Sequence, residues 1–397
     1  MDPIHKPPFK PISRRAFLGW LASAGAAGLI TACHTAKALP PAAPPAVPTL
    51  PGPTRTPFLP GPTMTPTRMP ATATPTWLAR VGITRVNGYD PALIRTGLEA
   101  MLADLGGPGD WIKPGARVGI KVNLTGTPGA DRPGAPKATE YFVTHPAVVA
   151  ALAGILKDSG ADRIYVMDGL GDPAIFERWG YTELLKPLGV QLVDLCKPAP
   201  FPGYKIFPVR GTPRVYEKFY LNGMLAEMDG LISAAKLKCH ATTGVTLSLK
   251  NLIGLAPIEE YRLHPLDNNR SAFHGAAAYD TRLPGVIMDL NRAVPVRLAL
   301  VDGIMTAEGG AGPWETTLSP VSPGLLLAGK DPVAVDTVAT AVMGFDPSAP
   351  GGSLPFLHGE NYLETAAQLG LGAHRLGEIG VSGLTIQEAR FPFKPAP

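Results

Sequence analysis

Cys33, Cys196 and Cys239 are the only three cysteines in 397 residues. The two that follow the N-terminal segment cannot hold a four-cysteine iron–sulfur cluster, so no cluster of that kind is expected. Basic tracts are equally missing. The formal charge is +4, but residues 1–32 hold Lys6, Lys10, Arg14 and Arg15 against Asp2 alone. The remainder carries 32 basic and 31 acidic side chains, and no nucleic-acid partner is expected. There is no Gly-Lys-Ser/Thr phosphate loop and no Gly-x-Gly-x-x-Gly at a strand–helix turn, which removes the two commonest nucleotide signatures. No internal repeat is evident.

What is present begins at the N-terminus. Ser13-Arg14-Arg15-Ala16-Phe17 places a twin arginine ahead of an apolar run, Ala16 to Ala32, that ends in Ile30-Thr31-Ala32-Cys33. About 17 residues is short for a membrane span and suits the apolar core of a signal segment. Residues 1–32 therefore read as a twin-arginine export signal. The small residues before Cys33 resemble a lipobox, which makes Cys33 the lipidation site. Export machinery of the twin-arginine type and a membrane are the expected partners. The protein is expected at the outer face of the cytoplasmic membrane or elsewhere in the cell envelope, held by lipid or by an uncleaved signal. Cargo of this route folds in the reducing cytoplasm, which favours free thiols at Cys196 and Cys239. Residues 33–76 follow as a spacer: Leu39 to Thr76 has 13 prolines in 38 residues and no acid. Proline fixes φ and removes donors, so this tract should be extended, reaching on the order of 100 Å.

Residues 77–397 alternate short β-branched runs with helical runs. Strands are predicted at Arg80–Val86, Arg117–Val122, Arg163–Met167, Gln191–Val193, Leu231–Ala235, Arg297–Val301 and Leu325–Ala328. Helices are predicted at Pro91–Leu105, Pro146–Ser159, Gly244–Leu252, Pro332–Met343 and Asn361–Leu369, several opening with proline at the first helical position. This is the pattern of an α/β fold, a mostly parallel sheet with helices on both faces, built as one large domain or two closely packed lobes.

Ligands of such sheets bind beyond the carboxyl ends of the strands, and unusual polar residues collect there. Lys121, Asn123 and Thr125 follow one strand and Asp168-Gly169 another. Lys236, Lys238 and His240 alternate along a third, and Asp302-Gly303 closes a fourth. His145-Pro146 opens a helix. Lys250-Asn251 interrupts an apolar stretch, Asp336 is the one carboxylate of an apolar helix, and Glu308 precedes the glycine-rich loop Gly309-Gly310-Ala311-Gly312. Each has a plainer reading as a cap, a turn or a snorkelling side chain. Together they point to one polar crevice, in which Lys121, Asn123, His145, His240, Lys250 and Asp336 are expected to lie within about 15 Å. The threonines before Gly244 are expected to cap a helix whose free N–H groups favour an anion. Asp336 is expected to pair with a lysine such as Lys250 or to bind metal.

The blocks Ile120-Lys121-Val122-Asn123-Leu124, Thr144-His145-Pro146, Lys236 to His240 running on to Lys250-Asn251-Leu252-Ile253-Gly254, Asp302-Gly303-Ile304 with Glu308-Gly309, and Asp331-Pro332-Val333-Ala334-Val335-Asp336 occur in an order that resembles the bacterial and archaeal family called domain of unknown function 362. Some members carry a ferredoxin-like module, whose cysteines this chain lacks. The chain departs from its relatives at Gly310-Ala311, where an asparagine usually stands between glycines, and at Cys239, usually threonine.

The residues favour an enzyme acting on a small anionic molecule, a carboxylate or a phosphate. Lys121, Asn123, Thr125, Lys238 and Asn251 would bind it, and His145, His240 and Lys250 would carry the chemistry. Asp302, Glu308 and Asp336 would hold a divalent metal if one takes part. The alternatives are a lipoprotein that captures a solute or cofactor without turnover, and a structural module of the envelope. Desolvated Lys, His and Asp side chains argue against the last.

Overall fold

A computed structural model describes residues 77–124 and 137–397; the twin-arginine segment, Cys33, the proline-rich tract and Thr125 lie outside the described residues. The strands are β1 (Ala79–Arg85), β2 (Ala116–Lys121), β3 (Ala161–Asp168), β4 (Gln191–Asp194), β5 (Lys205–Pro208), β6 (Lys218–Leu221), β7 (Gly230–His240), β8 (Gly244–Thr246), β9 (Leu298–Glu308), β10 (Ser319–Val321), β11 (Leu325–Gly329) and β12 (Ile379–Gly383). The main sheet has the order β12-β1-β11-β9-β7-β2-β3-β4, with β8 hairpinned on β7 and β10 on β9. Within that order only β11 runs against its neighbours. Strands β5 and β6 form a separate two-stranded sheet.

The seven expected strands all exist, and their near-continuous apolar runs have the reason expected of parallel strands: both faces are covered. Alternate residues feed two separate cores. Leu298, Leu300, Leu326 and Ala328 face one side, where α1 (Pro91–Asp104) and α2 (Pro146–Asp158) pack. Ala299, Val301, Leu325 and Leu327 face the other, covered by α4 (Arg282–Ala293), α5 (Pro332–Val342) and α6 (Tyr362–Gln368). The helix starts follow the proline signals. Asp90 caps α1 through Ala92 and Leu93 N–H, His145 Nδ1 caps α2 through Ala147 N–H, and Asp331 caps α5 through Ala334 N–H.

Two expectations need correction. Gly244–Leu252 is not one helix. Gly244 has a φ of +73°, which reverses the chain, and the β-branched Val245 and Thr246 pair back on Cys239 and Lys238 as β8. Helix α3 is only Ser248–Asn251 and passes into a 3₁₀ turn over Leu252–Leu255. Likewise, Asp302-Gly303 does not close its strand, which continues to Glu308. Strands β7 and β9 run on side by side for 11 residues each, carrying Lys236, Lys238, His240, Asp302 and Glu308 inside them.

Candidate functional site: a cationic cavity at the strand ends

The carboxyl ends of β2 and β3 open into a cavity of about 1370 Å³. At its floor Lys121 Nζ lies 2.9 Å from Asp168 Oδ1, both buried, and also donates to Val122 O at 2.5 Å and Asn251 Oδ1 at 3.3 Å. Burial pushes the Lys121 ammonium down, and Asp168 pulls it back up. The carboxylate is held further by the N–H groups of Leu124 and Gly169. Gly254 covers this pair so closely that a Cβ there would collide with both Asp168 Oδ1 and Lys121 Nζ. Asn251 is the hub: its Nδ2 donates to Lys121 O and Ser233 Oγ, and its Oδ1 accepts from Asn123 Nδ2 at 3.3 Å. Asn123 Oδ1 is buried at the cavity wall with no hydrogen-bond partner among the described residues.

Two cations complete the wall. Lys250, half-buried, has no hydrogen bond or ion pair among the described residues. Burial, with the nearby Lys121 and Arg270 charges, pushes its ammonium down to about 8. Among the described residues Arg270 donates only to backbone carbonyls, those of Ala256 (2.5 Å), Gly169 (2.8 Å) and Gly254 (3.4 Å). Neither Lys250 nor Arg270 is neutralised by a carboxylate contact among the described residues.

Behind this wall lies a second polar cluster, between β7 and β9. Lys236 Nζ, fully buried, contacts Asp302 Oδ2 at 2.9 Å, Tyr89 OH at 3.0 Å and Glu140 O at 3.0 Å. Asp302 Oδ2 also accepts His145 N–H at 2.9 Å. The His145 ring stacks on Tyr89 with centroids 3.6 Å apart, and burial lowers it to about 4. Lys238 donates to Phe142 O and lies 4.3 Å over the Phe142 ring, held well below the usual lysine range by burial and by Lys250 and Lys236. His240 Nδ1 accepts from Thr242 and Thr243 N–H, and burial with the Lys250 charge holds it far below its usual range.

The expected residues therefore divide. Lys121, Asn123, Lys250 and Asn251 line the cavity, whereas His145, Lys238, His240 and Asp336 do not. Asp336 takes a different partner from the one expected. Its two oxygens accept Ser248 and Leu249 N–H at 2.8 Å each, so the protein's own carboxyl fills the anion seat at the start of α3. Burial pushes that carboxyl up to about 8 against those two donors. The threonine cap expected there is replaced by the two contacts to His240. The three candidate metal carboxylates are likewise committed separately: Asp302 to Lys236, Glu308 to Lys394 N–H (2.9 Å) and Nζ (3.1 Å), and Asp336 to α3. Among the described residues no three His, Cys, Asp or Glu side chains gather as a metal site. His264 Nδ1 accepts Leu266 N–H, and His274 Nδ1 lies 3.7 Å from Asp280.

The profile of the family described as domain of unknown function (DUF362) matches residues 118–341, more than half of the chain. The chain belongs to this family. The thylakoid-associated protein sll1697 of Synechocystis is 28% identical over 324 residues, covering 79% of this chain and 89% of that protein. A crystal structure of a Thermotoga maritima protein aligns with a TM-score of 0.31 at 12% identity, over 60% of this chain and 55% of the other. The family match spans β2 to α5 and so contains the cavity floor, Lys250 and Arg270.

Three residues of this DUF362 domain were not foreseen from sequence. Arg270 sits in an aperiodic stretch with no motif around it. Tyr89 precedes α1 and reaches Asp302, 213 positions away in the chain. Trp314 follows the glycine-rich loop, packs edge-on to Phe142 and forms part of the cavity rim. Its exposure, 64%, was the one usable signal, and a sequence does not show it.

Proposed function

We propose that this domain is an enzyme that takes a small anionic substrate, a carboxylate or a phosphate, into the cavity and uses Lys250 on it. The observation that carries the reading is the pair of cations, Lys250 and Arg270, on one cavity wall without a carboxylate partner among the described residues. A desolvated cation is costly unless it is paired or used. Arg270 is held by three carbonyls and would fix the anion, and Asn123 Oδ1, without a partner among the described residues, would accept from a substrate hydroxyl or amide. With its ammonium at about 8, Lys250 is a neutral amine in roughly a tenth of molecules at pH 7, enough for a nucleophile or general base. Capture without turnover is the second reading. It is favoured by His145 and His240, which do not line the cavity and whose Nδ1 atoms accept backbone N–H groups.

The test is calorimetric titration of the full-length chain at pH 8 with phosphate, pyrophosphate and dicarboxylates, in buffers of different ionisation enthalpy. An anion beside Lys250 raises its affinity for protons, so binding should take up about half a proton per site. Binding with no proton uptake, or no binding of any anion, would remove the support. Turnover of phosphate or carboxylate esters by the same preparation separates enzyme from binder.

The setting we propose is a membrane surface. Arg14-Arg15, the apolar run after them and Cys33 support it, as does a relative described as thylakoid-associated. Among the described residues no helix is long and apolar enough to cross a membrane. In cell fractionation the full-length chain should sediment with membranes and a Cys33→Ala variant should not; identical partitioning would rule out the lipid anchor.

A further inference from the structure

The cavity is larger and more apolar than a small anion needs. Pockets for drug-sized ligands are roughly 300–1,000 Å³, and this one is about 1370 Å³. Besides the polar floor and charged side chains such as Asp172, Glu259, Arg262 and Asp267, its lining includes six large apolar residues, Leu170, Ile175, Ile253, Ile258, Leu266 and Trp314. Leu170, Ile253 and Ile258 are half-buried: Leu170 and Ile253 pack against the core, and all three also line the cavity. At the rim Leu266 is 87% exposed and Trp314 64% exposed, two large apolar side chains on separate loops of one opening. Single exposed apolar residues need no explanation, but six large apolar side chains on one polar-floored cavity, two of them exposed, do.

We propose that the ligand is an amphiphile, with its anionic head group at Lys250 and Arg270 and its apolar body running along Ile253 and Ile258 to leave between Leu266 and Trp314. This rests on the anion reading above and names the substrate class of the same site. The head group satisfies the two cations, and the body covers the half-buried aliphatic wall. Each methylene moved from water onto that wall should tighten binding roughly fourfold until the chain reaches the mouth. Trp314, with its ring at the rim, would then change environment when a chain passes it.

The full-length chain should be titrated with inorganic phosphate, butyl phosphate and decyl phosphate, and with butyrate and decanoate, following calorimetry and tryptophan fluorescence. The expected result is decyl phosphate at least tenfold tighter than butyl phosphate, with the longer chain alone shifting the emission. In Leu266→Ser, a change at an exposed side chain that leaves the core untouched, the ratio between the two should fall at least threefold while inorganic phosphate binds as before. Trp314→Ala should flatten it likewise and abolish the emission change. Equal affinities for butyl and decyl phosphate would overturn the amphiphile inference while leaving the anion reading standing. No binding by any of the probes would overturn both.

Discussion

Replacing Lys236 by methionine should cost about 3–5 kcal/mol of stability, the largest loss expected from any single side chain near the site. The two charges are each fully buried and 2.9 Å apart. Methionine keeps most of the volume, so the loss is not a cavity effect. It strands the Asp302 carboxylate, which keeps the N–H donors of His145 and Ile304 and a longer contact from Tyr89 at 3.4 Å, but no cation. The control is Lys330→Ala, which removes an ion pair of nearly the same length, 3.0 Å to Asp110, at a site where those side chains are 33% and 59% exposed. Water and entropy cancel most of that pair, and its removal should cost less than about 1 kcal/mol. Denaturant unfolding of both variants at pH 7 reads the contrast. Similar losses in the two would show that burial does not set the value of the Lys236 pair, and that the second cluster is not a structural clamp beneath the cavity.

How far apart in the chain each group and its partners lie decides what could and could not be read in the sequence. Proline after Asp90, His145 and Asp331 marked three helix starts correctly, because capping is local: donor and acceptor lie within three residues. The alternation of apolar residues in β9 and β11 encoded the two-sided sheet for the same reason. The site was harder to read because its partners are distant. In sequence Asp336 looks like a metal ligand or a lysine partner, since it is the one carboxylate of an apolar helix; its donors, Ser248 and Leu249, lie 88 and 87 positions away. Asp194 repeats the theme, collecting the N–H groups of Leu170, Gly171 and Cys196, and Asp289 collects those of Arg214, Val215 and Tyr216. In this fold a buried aspartate more often organises backbone than chemistry. Sequence alone does not distinguish the two, because both need an acidic residue in an apolar setting. Lysine separates more cleanly. Lys121 and Lys236 found carboxylates; Lys250, flagged for the same reason, did not.

Lys250→Met should therefore do the opposite of Lys236→Met and stabilise the protein. An unfolded lysine titrates near 10.4, and in the folded state the ammonium is pushed down to about 8. The fold disfavours the charged form, so a penalty is fully present below pH 8 and is relieved as pH rises from about 8 to 10.4, where the unfolded chain binds more protons than the folded one. The shift corresponds to no more than about 3 kcal/mol at pH 7. Methionine, of similar length and uncharged, removes that penalty. Burial lowers Lys121, Lys236 and Lys238 as well, so the diagnostic quantity is the difference between the wild-type and Lys250→Met stability curves. It should be constant below pH 8 and close towards zero by about pH 10.4. The same variant should bind phosphate at least tenfold more weakly, since one of the two cations facing the ligand is gone. Gained stability with lost binding is the trade expected where a strained group is retained for function. A Lys250→Met protein less stable than wild type at pH 7 would mean that the ammonium is structurally satisfied, and the anion reading would lose the residue on which it stands.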